Sequence, residues 1–203
     1  SHYMCSSAEN ISKTEKRRVE QKKRALLLAA IQRAASENNG GLFLVCGSAA
    51  GCSITMNFVA SRAPAGIHVH GFTQEEVDLE QAARNVSIHH GAFDVTLVEC
   101  VSGANATSMS GVCFLHLSTG SYELAHSVLS LLAPRISQGA VLYFDECSGQ
   151  GVSEDARAWA HVCASHRIAA ERIEVPGGIK GSPPPSTALV VTGLTAPDED
   201  PQA

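Results

Sequence analysis

From residue 40 onward the chain alternates short β-rich runs with stretches of helical periodicity, and its last two β runs have no helix between them. Residues 42–45 (LFLV) form a continuous apolar run, the mark of a strand buried on both faces. The runs at 67–72 (IHVHGF), 86–90 (VSIHH), 111–117 (GVCFLHL) and 140–144 (AVLYF) repeat the signal. Helical stretches lie among them. Ile54, Phe58 and Val59 share one side of the first, residues 74–84 and 121–132 carry two more, and Pro134 ends the latter. Ala156, Trp159, Ala160 and Cys163 recur at helical spacing in a fourth, which starts near Ser153. The closing runs, 170–175 and 187–192, flank only a Gly/Pro loop at 176–186, which predicts an antiparallel hairpin. Crossover helices make the earlier strands parallel and cover both sheet faces. The expected fold is one doubly wound α/β domain with a seven-stranded sheet.

A leading helix is expected at 12–38, ahead of the α/β domain at 39–194. Residues 1–11 read as a tag remnant and flexible N-terminus, and 195–203 (TAPDEDPQA) as a disordered acidic tail. The net charge of −5 is unevenly placed. Lys13, Lys16, Arg17, Arg18, Lys22, Lys23 and Arg24 stand against Glu15 and Glu20, a local +5, which leaves the remainder at −10. No aromatic residue is interleaved with these cations to stack on bases, and the body is acidic, so nucleic acid is a poor partner. The stretch reads instead as the solvated start of a helix whose later turns (Leu27, Leu28, Ile31, Ala34, Ala35) dock on the domain. No apolar run reaches the roughly 18 residues that span a bilayer, so no membrane association is expected. The seven cysteines include no C-x-x-C pair, which fits reduced thiols and a cytoplasmic location.

In such a sheet ligands bind beyond the carboxyl ends of the strands, where the strand order reverses. The first strand ends in Cys46-Gly47-Ser48-Ala49-Ala50-Gly51-Cys52-Ser53, a glycine-punctuated turn opening a helix. Its glycines admit a ligand close to the backbone, and a helix N-terminus offers free N–H groups to an anion. The fifth strand closes on Asp145 and Glu146, an acidic pair able to accept a proton from a hydroxyl or to bind Mg²⁺. His68 and His70 share one strand face at metal-compatible spacing, but no carboxylate or thiol matches them nearby. Ser118 at a strand-to-helix turn, then Asp145, then His161 or His166, follow the order of a hydrolase triad. The first glycine of a nucleophile elbow and an oxyanion segment are both missing.

These pieces together resemble the class I S-adenosylmethionine-dependent methyltransferases, in particular the macrocin and mycinamicin sugar O-methyltransferase group, whose fold is Rossmann-like. That family's E-C-G-x-x-x-G-G-S loop resembles the segment from Val45 to Ser53, and its Y-G-F-D strand end resembles His70-Gly71-Phe72-Thr73. Its G-x-F-x-x-T-L segment matches Gly91 to Leu97, including Phe93, and D-G-D-L-Y-E-S resembles Ser118 to Leu124. F-D-D-Y resembles Phe144-Asp145-Glu146-Cys147, and a G…A-R helix start recurs at Gly151, Ala156 and Arg157. The departures fall on the acids. The first-strand Glu is Val45, the ribose-binding Asp is Thr73, and both acids of D-G-D are replaced, by Ser118 and Gly120. Each lost charged hydrogen bond is worth about 1.5–3 kcal/mol, so two losses weaken cofactor binding roughly 100-fold or more.

The resemblance implies S-adenosylmethionine held by Cys46, Gly47, Ser48, Gly51, Ser53, Phe72, Thr73, Gly91, Phe93 and Ser118. It implies a small hydroxylated acceptor, with Asp145 as base or Mg²⁺ ligand and Glu146 supporting it in either role. Glu75 or Glu76 could swing in toward the ribose. The alternative is a methyltransferase fold that has lost catalysis and serves as a binding or assembly module, through the basic leading helix or the Pro-rich loop at 181–186. A chain this short has little material for a lid, so a homo-oligomeric partner is expected to complete the site.

Overall fold

Strand β1 (Leu42–Gly47) is buried at all of its positions, as an apolar run with no polar alternation requires. The structure, a computed structural model, describes residues 13–37, 41–47, 49–73, 85–91, 111–145, 153–174 and 186–194, and of 49–53 the backbone alone. In chain order the elements are α1 (Lys13–Glu37), β1, α2 (Ala49–Ala60), β2 (Val69–Thr73), β3 (Val86–His90) and β4 (Val112–Ser118). There follow α3 (Tyr122–Leu132), a 3₁₀ turn (Ala133–Arg135), β5 (Ile136–Asp145), α4 (Glu154–His166), β6 (Ile168–Arg172) and β7 (Ser186–Leu194). None of the described helices is long and apolar enough to cross a membrane.

The sheet order is β3-β2-β1-β4-β5-β7-β6. β1 to β5 pair in parallel, and β7 lies antiparallel between β5 and β6. The order reverses between β1 and β4, so the crevice of the fold opens above their carboxyl ends.

Period-two alternation divides the apolar side chains into two layers. Leu44, Cys46, Leu115, Leu117, Leu142 and Phe144 face α3 and α4, meeting Leu129, Leu132, Trp159 and Val162. Phe43, Val45, Phe114, Val141 and Tyr143 face the other way, onto Leu27, Ala30, Ile31 and Ala34 of α1 and onto Met56 and Val59 of α2. Each fully buried Leu or Phe contributes about 1.5–3 kcal/mol, so the two layers together drive folding. Serine caps start the later helices: Ser121 Oγ accepts from Leu124 N–H, and Ser153 Oγ from Ala156 N–H.

The strand boundaries differ from expectation where turn chemistry intervenes. β5 begins four residues early, at Ile136, because the turn containing Pro134 leads directly into it. Gly139, at φ 80°, then lets the strand shift register between the Val112–Ile136 and Phe114–Val141 pairs. β6 starts at Ile168 rather than 170, since Arg167 in the left-handed region ends α4 abruptly. The expected helix at 74–84 and nearly all of the 176–186 loop lie outside the described residues.

One contact limits how closely α2 approaches the sheet. A Cβ on Gly71 of β2 would meet Met56 Sδ at 1.7 Å. Gly71→Ala should therefore lose about 1–3 kcal/mol in urea unfolding. Gly71→Ala combined with Met56→Ala should lose less than the two single changes added together. A Gly71→Ala protein as stable as the parent would refute this packing.

Candidate functional site

The strand ends bring most of the expected residues onto one rim. Gly47 pairs with Ser118 across the point where the order reverses, and Cys46 lies between Phe72 and Leu117. Thr73 pairs with His90, and the next residue, Gly91 (φ 126°), donates its N–H to the Thr73 carbonyl at 3.3 Å. Asp145 ends β5 opposite Ser186. α2 starts two residues after Gly47, so its first N–H groups stand at the same rim, and Gly51 and Ser53 lie within its first turns. Ser48, Phe93, Glu146, Glu75 and Glu76 lie outside the described residues. The side chains of Cys46 and Phe72 are fully buried in the α3–α4 layer, so what they present at the rim is backbone.

Asp145 is the centre of a polar network. Its Oδ2 lies 3.1 Å from His116 Nε2, and its Oδ1 accepts from Ser186 Oγ at 3.3 Å and faces Lys23 Nζ at 3.6 Å. A carboxylate can only accept here, so His116 Nε2 carries the hydrogen. Burial raises the Asp145 pKa, but the hydrogen bond and charge of His116, then Lys23 and Ser186, outweigh it, and the net direction is down. His116 is 2% exposed and stacks on Tyr143 at 5.3 Å. Its Nδ1 is buried with no hydrogen-bond partner among the described residues. The Tyr143 hydroxyl, its own pKa pushed up by burial, donates to the Lys23 carbonyl at 3.3 Å and so ties α1 to β5.

Three of these contacts were not legible in the sequence. His116 precedes Ser118 by two residues, and alternation alone would have put both on the Asp145 face once β4 and β5 were known to pair. Lys23 and Asp155 gave no local signal. Asp155, 2% exposed at the start of α4, accepts from Thr119 N–H at 3.1 Å, from Gly120 N–H at 3.4 Å and from the Thr119 hydroxyl. It thereby fixes the loop that follows β4.

The Ser118–Asp145–His161 order is not a triad. Asp145 is engaged by His116, whereas His161 Nδ1 shares a hydrogen bond with the Tyr122 hydroxyl across the α3–α4 surface. The histidine-rich face is larger than the sequence implied, because β2–β3 pairing adds His89. His70 Nδ1 lies 3.1 Å from His89 Nε2, and His68 Nε2 lies 2.8 Å from Ser87 Oγ. Among the described residues no three His, Cys, Asp or Glu converge as a metal site. The buried Cys113 and half-buried Cys163 are free thiols whose pKa values burial raises, the latter to about 11, so both stay protonated.

The backbone of Gly47, Gly91 and the start of α2 thus stands at this rim, with the Ser118 hydroxyl beside it. Thr73 is 0% exposed, and Val45 is buried against α1 and α2. These residues suit an S-adenosylmethionine held through backbone and hydroxyl contacts rather than through carboxylates. They do not suit Mg²⁺. Of the described carboxylates near the rim, Asp145 already faces an ammonium, a histidine and a hydroxyl, Asp155 is taken up by Thr119 and Gly120, and Ser118 and Gly120 add no charged ligand.

Two measurements test this geometry. Asp155→Ala leaves its donors without an acceptor and should cost at least about 1–3 kcal/mol in chemical denaturation. Asp155→Asn, which keeps one acceptor oxygen, should lose less; equal losses would mean the clamp does not operate. The second concerns His70, whose pKa falls from 6.5 to about 4, through burial first and then the charges of His68 and His89. The unfolded chain binds this proton more readily, so its contribution to stability is complete above pH 6.5 and is lost as the pH falls toward 4. The melting temperature should drop across that window, and His70→Gln should flatten that part of the profile.

No protein-family model matches the sequence, and no curated protein matches it. Solved structures do match it. CalS11, a TDP-rhamnose 3'-O-methyltransferase of calicheamicin biosynthesis, is 13% identical and superimposes with a TM-score of 0.62 over 88% of this chain and 80% of that one. The O-methyltransferase NovP is 15% identical, with a TM-score of 0.58 over 85% of this chain and 80% of that one. TomG from Streptomyces achromogenes, solved in complex with S-adenosylmethionine, is 13% identical, with a TM-score of 0.53 over 85% and 80%. The seven-stranded sheet with its terminal antiparallel hairpin, and the superposition on these structures over most of both chains, give this chain the fold of the class I S-adenosylmethionine-dependent methyltransferases.

Proposed function

We infer that this chain binds S-adenosylmethionine at the β1–β4 crevice and transfers its methyl group to a hydroxyl of a small molecule. The observation that carries the reading is the single rim on which Gly47, Thr73, Gly91, Ser118 and Asp145 meet the start of α2. Structural neighbours include CalS11, a TDP-rhamnose 3'-O-methyltransferase, and TomG, solved with S-adenosylmethionine. When bound, S-adenosylmethionine supplies an electrophilic methyl group, and the chain's task is chiefly positioning. The backbone at Gly47 and the first turn of α2 receive the cofactor's carboxylate end. Ser118 accepts a hydrogen bond from one of its hydroxyls, while the fully buried Thr73 contributes its backbone at the rim. A carboxylate offers about four acceptor directions, of which Lys23, Ser186 and His116 occupy three at Asp145. The remaining one, on Oδ2, can orient an acceptor hydroxyl. With its pKa held down, Asp145 orients that hydroxyl better than it deprotonates it. Glu146 is assigned a supporting role beside it.

A second reading has its own observation. With Val45, Thr73, Ser118 and Gly120 in place of acids and Asp145 committed to internal partners, the fold can serve as a binding or assembly module. Calorimetric titration with S-adenosylmethionine and S-adenosylhomocysteine separates the two. Micromolar binding that Gly47→Trp abolishes supports the transferase. Absence of heat and of a thermal shift at millimolar ligand refutes it and favours the module.

A further inference from the structure

We propose that Lys23 is the resident cation of this site: its ammonium holds on Asp145 the place a divalent metal would take, so that α1 forms part of the site and the site operates without metal. The proposal rests on the methyltransferase reading only for the site's purpose, not for the contact itself.

The other ion pairs described on α1 are local. Arg24 pairs with Glu20 and Arg33 with Glu37, each four residues apart along the exposed face. Lys23 instead crosses to the sheet. Its Nζ lies 3.6 Å from Asp145 Oδ1, with both side chains only about a quarter exposed. Its backbone is fixed by the Tyr143 hydroxyl, and the helix behind it is anchored through Leu27, Ala30, Ile31 and Ala34. The ammonium is therefore positioned by packing as well as by charge. Facing it at Asp145 are His116, which donates to Oδ2, and Ser186, which shares Oδ1 with the ammonium.

A divalent ion on the same carboxylate would have to displace Lys23 or endure its charge within a few ångströms. It would also need further oxygen ligands. Ser118 and Gly120 supply no carboxylate at the end of β4. An ammonium needs far less: one carboxylate satisfies it, with water for its other protons. The end of β4 thus offers no carboxylate to a divalent ion, while α1 brings an ammonium to Asp145.

The test follows the Asp145 carboxylate carbon and the His116 ring by NMR in the parent protein, in Lys23→Met and in Lys23→Arg. Mn²⁺, a paramagnetic stand-in for Mg²⁺, is added at millimolar concentration. In the parent the Asp145 and His116 signals should stay sharp and the melting temperature should not respond to Mg²⁺. In Lys23→Met, which keeps side-chain length and helix propensity, the Asp145 pKa should rise and Mn²⁺ should broaden its signal. Lys23→Arg should behave as the parent. Broadening of Asp145 by Mn²⁺ in the parent overturns the proposal without need of any variant. So does a Lys23→Met protein whose Asp145 titration is unchanged. S-adenosylmethionine binding that appears only with Mg²⁺ overturns it too while leaving the cofactor reading intact. Absence of cofactor binding in every condition defeats the cofactor reading alone, and the Mn²⁺ result still decides Lys23.

Discussion

The central strands β1, β4 and β5 are covered on both faces, and the rest of the molecule follows from that constraint. A strand buried on both sides can satisfy its backbone only against neighbouring strands, and its alternating side chains need two separate apolar layers. α1 and α2 supply one layer, α3 and α4 the other. Polar side chains on these strands emerge at their ends, Ser137 and Gln138 at the start of β5 and Ser118, Asp145 and the paired Ser186 at the carboxyl rim. The position of the site is a consequence of the burial of the sheet beneath it.

Electrostatics then decides what that rim can hold. A carboxylate surrounded by an ammonium, an imidazole and a hydroxyl stays ionised and keeps little free charge. The same contacts that stabilise Asp145 in its charged form lower its usefulness as a base and as a metal ligand. His116 presents the reverse situation: one ring nitrogen is committed to Asp145, while the other is buried with no partner among the described residues. Such an atom costs stability unless water or a ligand reaches it. The rim therefore sets one largely satisfied group beside one under-satisfied group.

How much of this was legible depended on the range of the interaction. The runs LFLV and AVLYF announced β1 and β5 because burial on both faces leaves a continuous apolar signature. The missing helix between the last two runs announced the β6–β7 hairpin, since an antiparallel pair needs no crossover. The glycines at 47 and 51 marked the turn into α2 because their backbone demands are local. By contrast, His116 meets Asp145 across 29 residues and Thr119 meets Asp155 across 36. Neither pair shares a local motif, and nothing in the run of cations at 13–24 distinguishes Lys23 from its neighbours.

The sequence by itself determined the doubly wound α/β class, the terminal hairpin, the glycine turn after β1 and the uncharged residues Val45, Thr73, Ser118 and Gly120 at the strand ends. Each of these is written in local periodicity or in the identity of one residue. Only the tertiary structure decided which cation and which imidazole Asp145 would meet, that His161 would turn to Tyr122 instead, and that Asp155 would clamp the loop after β4. Those partners are chosen by how α1 and α4 pack across the sheet. Packing depends on the joint fit of whole apolar layers, which no short stretch of sequence records.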